Sequence, residues 1–200
     1  MLLPGTGTNG AQNNTFLDSS ANTFTITRNG NTTQGTFTPF SQTGWGNYFD
    51  GSSYFNTASN AAFALPGDFT WEAWVYVTTS GVETIYHGNT TDSLIVKIDS
   101  SNKVVVRQFA VADLITTSTA VPTNTWVHIA VARSGTSMAV WINGAIAGTA
   151  TSSTSFATSA VYIGADDGGN NKLSGYISNL RLVKGTAVYN PSSSTITVPT

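Results

Sequence analysis

The chain has 200 residues, of which only 9% are charged, against about 25% in an ordinary globular domain, and it contains no cysteine. A formal net charge of -2, with eight Lys and Arg scattered from Arg28 to Lys184, offers no basic stripe to a phosphate backbone and argues against nucleic acid as a partner. Without cysteine, disulfides and thiolate metal sites are excluded; the length suits one domain over residues 1–200, whose stability must come from packing.

The opening MLLPGTGTNG has neither the basic n-region nor the apolar h-region of a secretory signal, and no apolar run approaches the roughly 18 residues of a membrane span. The expectation is synthesis in a cytoplasm without a signal peptide, and no membrane partner. Residues 1–50 are rich in Asn, Thr and Gly, yet FTITRNGNTTQGTF alternates Phe24, Ile26 and Arg28 with threonines around an Asn-Gly turn, which predicts strands of the same domain rather than a linker. In DFTWEAWVYV, Phe69, Trp71, Ala73, Val75 and Val77 share one face, while Thr70, Glu72, Trp74 and Tyr76 share the other. Aromatic rings on both faces mark a strand covered on two sides.

SLIVKI, KVVVRQF and WVHIAVAR read as central strands, being β-branched and aromatic with Ser, Asn, Thr or Gly at their ends. In MAVWINGAIAGT two β runs meet at Asn143-Gly144, the pair best able to take the two positive φ values of a type I′ turn, so a hairpin is predicted there. VYIGAD and LSGYISNLRLV add strands around the polar loop DDGGNN, and PSSSTITVPT reads as a short extended terminus. No helical stripe competes with this period-two pattern. The predicted fold class is all-β, a two-sheet antiparallel sandwich or jelly roll.

The order LLPGTGTNG, FLDSSANTFTITRNGN, NYFDGSSYF, FTWEAWVYV, NTWVHIAVARSGTSMAVWINGAIAGT and VYIGADD, closing on GYISNLRLVKGTAVY, resembles the laminin-G-like domains of the concanavalin A-like jelly-roll superfamily over nearly the whole chain. Within that superfamily NNTFLDSS, TITRNGN and LRLVKGTAVY are similar in wording to virion structural proteins of tailed bacteriophages, particularly phages of marine cyanobacteria. The resemblance implies two packed antiparallel sheets and a place on the virion surface, as a capsid decoration, tail-fibre or adhesion module. Fold alone does not choose among these, because the superfamily holds lectins, hydrolases and structural modules.

Glu72 poses the chemical question. A retaining glucanase on a related jelly roll carries acidic residues at alternate positions of one strand, with nucleophile and acid about 5 Å apart. Here the alternate positions read Thr70, Glu72, Trp74 and Tyr76, and nothing local brings Glu83 near, so Glu72 is expected to be a hydrogen-bonded sheet residue and no catalytic residue is assigned. With two histidines, a nucleophile-base triad would need His87, expected near a turn and exposed, or His128, expected packed or hydrogen-bonded within a strand.

In ADDGGNNK, Asp166, Asp167, Asn170 and Asn171 offer the hard oxygens that calcium prefers, and Gly168-Gly169 lets them converge; the same residues also make a good solvated turn. Laminin-G-like and pentraxin-like relatives often bind calcium from rim loops, so the resemblance favours calcium as the one cofactor to consider. For a glycan, Trp45, Tyr48, Tyr54, Tyr86 and Tyr189 lie in turn-rich or terminal segments, whereas Trp71, Trp74, Trp126 and Trp141 sit in strands and are assigned to the core. Trp45, Tyr86 and His87 are the candidate ligand contacts. The N-x-T sequons at Asn13, Asn31 and Asn89 are expected by chance in so Asn- and Thr-rich a chain and receive no role.

With few charges to guard sheet edges, the edges are expected to be covered by the terminal segments or by neighbouring subunits, which favours a homo-oligomer or contacts with other virion proteins. The leading expectation is thus a non-enzymatic virion surface protein. A glycan-binding adhesin, directed at a host-surface glycan and possible with calcium, is the alternative.

Overall fold

The computed structural model describes residues 1–4, 16–40 and 45–200, and within them the alternating runs become fifteen β-strands and one 3-10 turn, Ala61–Phe63. In chain order the strands are β1 (Leu2–Leu3), β2 (Thr27–Asn29), β3 (Thr33–Gly35), β4 (Gly46–Asp50), β5 (Tyr54–Asn56), β6 (Phe69–Val77), β7 (Glu83–Gly88) and β8 (Leu94–Ile98). There follow β9 (Lys103–Gln108), β10 (Ala112–Ala120), β11 (Trp126–Ser134), β12 (Ser137–Ile142), β13 (Ala145–Thr151), β14 (Val161–Ile163) and β15 (Ser174–Lys184). The Asn13 sequon and most of the LLPGTGTNG segment lie outside the described residues.

Two antiparallel sheets result. One has eight strands in the order β13-β12-β11-β6-β15-β4-β3, with β1 also paired to β15; the other has seven, ordered β10-β9-β8-β7-β14-β5-β2. Neighbours in a sheet are often far apart in sequence, as in a jelly-roll sandwich. The core lies between the sheets: Phe49, Trp71, Val75, Ile129 and Val140 of the first meet Phe55, Ile85, Val96, Val106 and Val161 of the second, all at 1% exposure or less. Both faces of β6 fall as the alternation requires, with Phe69, Trp71, Ala73, Val75 and Val77 turned inward.

The Asn143-Gly144 hairpin forms with φ of 49° and 81°, and Ile142 pairs with Ala145 across it. Glycine is doubly required there, because a Cβ on Gly144 would stand 2.8 Å from the carbonyl oxygen of Ile196. Asn29-Gly30 also turns, but it carries the chain from the seven-stranded sheet at β2 to the eight-stranded sheet at β3 rather than closing a hairpin.

Two segments then lie on the outer face of the eight-stranded sheet. Beyond β15 the C-terminal tail crosses it: Val188 N donates to Thr70 Oγ1 (2.8 Å), Trp141 Nε1 to Ser193 O (3.0 Å) and Ile196 N to Gly144 O (2.8 Å). The alanines at 130, 132 and 139 make room for it, and with Trp141 they form a buried patch under Tyr189 and Ile196. The tail also pairs with the start of β13, at Ala145 with Thr195, so part of that edge is covered by the chain terminus. At the other end of the face, the segment after β3 places Phe37 against Tyr76, Trp126 and Tyr176 at centroid distances of 4.9, 5.5 and 4.7 Å, and Phe40 edge-on to Trp74 at 5.8 Å.

A guanidinium is buried in the sandwich. Arg133, at 1% exposure, donates to the carbonyls of Leu65, Gly67 and Thr154 and stands over the rings of Phe69 and Phe156. Removing it strands three acceptors, and hydrogen bonds to charged groups contribute about 1.5–3 kcal/mol each. Arg133→Ala is therefore expected to cost at least about 3 kcal/mol in urea unfolding, against less than about 0.5 kcal/mol for Arg107→Ala at a surface pair.

Candidate functional site

Between the tail and the Phe37–Phe40 segment the outer face stays open as a cleft of about 340 Å3, lined by Leu2, Pro4, Glu72, Trp74, His128, Asn179, Arg181 and Pro199. Its floor comes from adjacent strands in register: His128 of β11 opposes Trp74 of β6, which opposes Ser178 of β15. The next outward row is Ala130, Glu72 and Arg181. Arg181 reaches this row because β15 carries one extra residue between Ser178 and Arg181, a β-bulge with Asn179 at φ 49°. Such bulges re-aim side chains. Here the extra residue keeps Ile177, Leu180 and Leu182 in the core while turning Asn179 and Arg181 toward the cleft.

Everything on the floor converges on Glu72, only 3% exposed. Arg181 donates to its Oε1 through Nε and Nη2, Tyr189 Oη donates to Oε2 at 2.6 Å, and His128 Nε2 lies 3.1 Å from the same oxygen. Burial alone would push the carboxyl up, but the hydrogen bonds of His128 and Tyr189 and the charge of Arg181 outweigh it, leaving Glu72 below its ordinary value. Burial, with the hydrogen bond and charge of Glu72, pushes the Tyr189 phenol up, so it stays protonated and donating. Glu72 is thus an ionised acceptor. It holds no proton to give a leaving group, and its cross-strand neighbours are Ala130 and Arg181 where an acid pair would need a second carboxylate.

Among the described residues, two nitrogen atoms around the cleft lack partners. Trp74 Nε1 and His128 Nδ1 are buried without a hydrogen bond, although buried polar groups are paired in the great majority of cases.

This architecture agrees with the comparisons. The profile of the Concanavalin A-like lectin/glucanases superfamily (Laminin_G_3) matches residues 49–187. The chain belongs to this superfamily. Domain 4 of AbnA, an extracellular arabinanase of Geobacillus stearothermophilus solved in complex with arabinotriose, is 18% identical, with 88% of each chain covered and a TM-score of 0.66. The binding domain of botulinum neurotoxin serotype C1 is 15% identical over 84% of this chain and 46% of that one, at a TM-score of 0.63. A carbohydrate-binding protein of Bacteroides ovatus, described as putative, is 17% identical over 64% and 40%, at 0.52. At these identities the likeness is one of fold. No curated protein sequence matches.

Within this concanavalin A-like frame the residues expected from sequence scatter. Tyr86 does not face solvent: β7 bulges between Thr84 and Tyr86, which turns the ring into the core opposite Val96 and 6.2 Å from Trp71, at 1% exposure. His87 is likewise not exposed. It is 4% exposed against the Phe109 ring; burial lowers its pKa, and Asp167, 4.0 Å from its Nε2, pulls it part of the way back. Trp45 is half-buried, accepts a hydrogen bond from Ser178 Oγ at its carbonyl and does not line the cleft. Glu83 stands in the other sheet, where Thr79 Oγ1 donates to it.

The DDGGNN loop is closed on itself. The amides of Gly168 and Asn170 donate to Asp166 Oδ1, and Asn171 Nδ2 donates to Oδ2, so Asp166 organises the turn. Among the described residues no group of three or more His, Cys, Asp or Glu side chains is placed to hold a metal ion. The residues that do come together, Glu72, Trp74, His128, Asn179, Arg181 and Tyr189, include three that sequence reasoning passed over: Asn179, Arg181 and Trp74, the last assigned to the core.

A carboxyl held below its unfolded value contributes stability that is present above the unfolded pKa and is lost as the pH falls through the folded one. For Glu72 that loss begins below its ordinary 4.5. Asp18 and Asp50 are also held low, so the informative quantity is a difference: Glu72→Gln should be less stable than the parent at pH 7, and the gap should shrink as the pH falls below 4.5. Thermal unfolding from pH 7 to pH 3 reads it, and a constant gap would mean that the carboxylate charge is not what the site uses.

Proposed function

We propose that the protein is a non-catalytic glycan-binding module and that its binding site is the cleft at Glu72. The observation that carries this reading is the cleft itself, an opening on the sheet face whose walls combine the Trp74 indole with Arg181, Asn179 and His128 around an already satisfied carboxylate. A sugar ring presents an apolar C–H face that packs on an indole, and hydroxyls that accept from N–H donors. Trp74 supplies the ring, and Asn179 and Arg181 on the cleft wall supply N–H donors. The Arg181–Glu72 pair is neutral as a unit, so recognition would rest on hydrogen bonds and stacking, consistent with a chain so poor in charge. These donors are nitrogen-borne, so the recognition proposed here does not run through calcium.

The neighbours lend support of a general kind: the arabinanase domain was solved with arabinotriose, and the Bacteroides ovatus protein is described as carbohydrate binding. The likeness of TITRNGN and LRLVKGTAVY to phage virion proteins adds a place for such a module, on a particle surface facing a host glycan, whether as decoration or tail-fibre protein. That placement is part of the proposal.

A glycan array followed by calorimetry is the test. Trp74→Ala is expected to weaken binding about tenfold or more, as loss of a central aromatic anchor does, while circular dichroism stays that of the parent. Unchanged affinity in a folded Trp74→Ala protein would remove the cleft from the binding site.

A further inference from the structure

We propose a second sugar subsite in the recess on the far side of Phe37, so that the ligand is a linear chain of neutral sugar units rather than one terminal sugar. The inference rests on the glycan reading of the cleft. The recess measures about 310 Å3 and is lined by Thr33, Gln34, Gly35, Thr36, Phe37, Tyr48 and Tyr176. It is cut into the same outer face as the cleft, and β15 connects the two, with Tyr176 in the recess and Asn179 and Arg181 in the cleft. At about 3.3 Å per residue, Tyr176 lies about 10 Å from Asn179 and about 15 Å from Arg181, spans that no monosaccharide covers.

The segment that crosses between them stands on a row of rings. Trp126, Tyr76, Tyr176 and Tyr48 oppose one another in register across four adjacent strands, with Thr33 next in the row on β3. Phe37 rests on three of these rings and still leaves 45% of its surface exposed. An exposed ring held on a bed of aromatic rings is rigid, and so costs little entropy on stacking. Its position is built in: a Cβ on Gly46 would stand 2.3 Å from the Phe37 carbonyl oxygen, so only glycine lets this segment down onto the face.

Chemistry decides the occupant. Among the described residues no charged side chain lines the recess, which argues against an ionic partner; its polar groups are threonine, glutamine and tyrosine, which match sugar hydroxyls, and its rings match sugar C–H faces. Ser178, the outward residue of β15 between them, is buried beneath Thr38 and Trp45, so a ligand that reaches both openings passes over the exposed Phe37, and their place on one sheet face favours a single extended ligand over a separate protein partner.

The experiment is calorimetry of the full chain with arabino-, xylo- and cello-oligosaccharides of increasing length from the monosaccharide, and with oligogalacturonates, alongside Tyr48→Ala and Phe37→Ser variants. Two joined subsites should raise affinity with length by about tenfold or more for at least one neutral series. Both variants should flatten that rise and leave the affinity for the shortest binding sugar unchanged; the exposed Phe37 provides the second readout should Tyr48→Ala fail to fold. Affinity independent of length, or a rise that survives both variants, would overturn the second subsite and leave the cleft standing. Tighter binding of oligogalacturonates would overturn the neutral class. A dimer in sedimentation that Tyr48→Ala abolishes would give the recess to a second copy and likewise overturn the proposal. Absence of binding by every sugar would overturn both readings.

Discussion

A carboxylate buried on a sheet face has to be satisfied from all sides, and the arrangement of Glu72 follows from that constraint. Leaving one partner of a buried charge unmade costs several kcal/mol. Four elements supply its environment: β6 carries it, β11 brings His128, the bulge of β15 brings Arg181, and the tail brings Tyr189. The same hydrogen bonds therefore fix the bulge and pin the tail. What looks like one polar residue on a strand is the tie between the sheet and the segment that crosses it.

That tie also determines what stays open. The alanines at 130, 132 and 139 accept the tail, and Gly46 accepts the Phe37 segment, so both flanks of the outer face are occupied and the cleft remains between them. Its walls are held by backbone hydrogen bonds and ring packing. A binding surface built this way is largely pre-formed, which spares a ligand the ordering cost of a mobile loop. The depressed pKa of Glu72 belongs to the same design, because an ionised acceptor organises its donors and does not act as an acid.

Much of the sandwich was legible in the sequence where side-chain period alone decides. The two faces of DFTWEAWVYV, the Asn143-Gly144 turn and the hydrogen-bonded fate of Glu72 and His128 could be read from alternation, turn chemistry and the absent second carboxylate. The site was less legible because it depends on pairs remote in sequence: Glu72 and Arg181 are 109 residues apart, Glu72 and Tyr189 are 117 apart. Two bulges account for part of the rest. The one at Thr84–Tyr86 leaves no strong local signature, and it sends Tyr86 into the core. The one in β15 did leave a signal, since Ile177 and Leu180 are three positions apart where strict alternation demands two, and Asn between them suits a positive φ. Reading that break would have turned Arg181 outward and raised the question of what it faces. Assigning Trp74 and Trp126 to the core failed for a related reason: a ring on the outer face can be half covered by crossing segments that no local pattern reveals.

The most direct test of the account is the indole N–H signal of each tryptophan in a two-dimensional nitrogen-15 NMR spectrum, followed while a glycan selected by array is titrated in. The chain has five such signals, and they report on different places: Trp71 and Trp141 are fully buried, while Trp74 lines the cleft with its N–H unpaired. The largest saturable shift is expected at Trp74, with Trp71 and Trp141 nearly still. Saturable binding that leaves Trp74 unmoved and instead shifts the backbone amides of Asp166 to Asn171 would place the site at the loop between β14 and β15 and contradict the account.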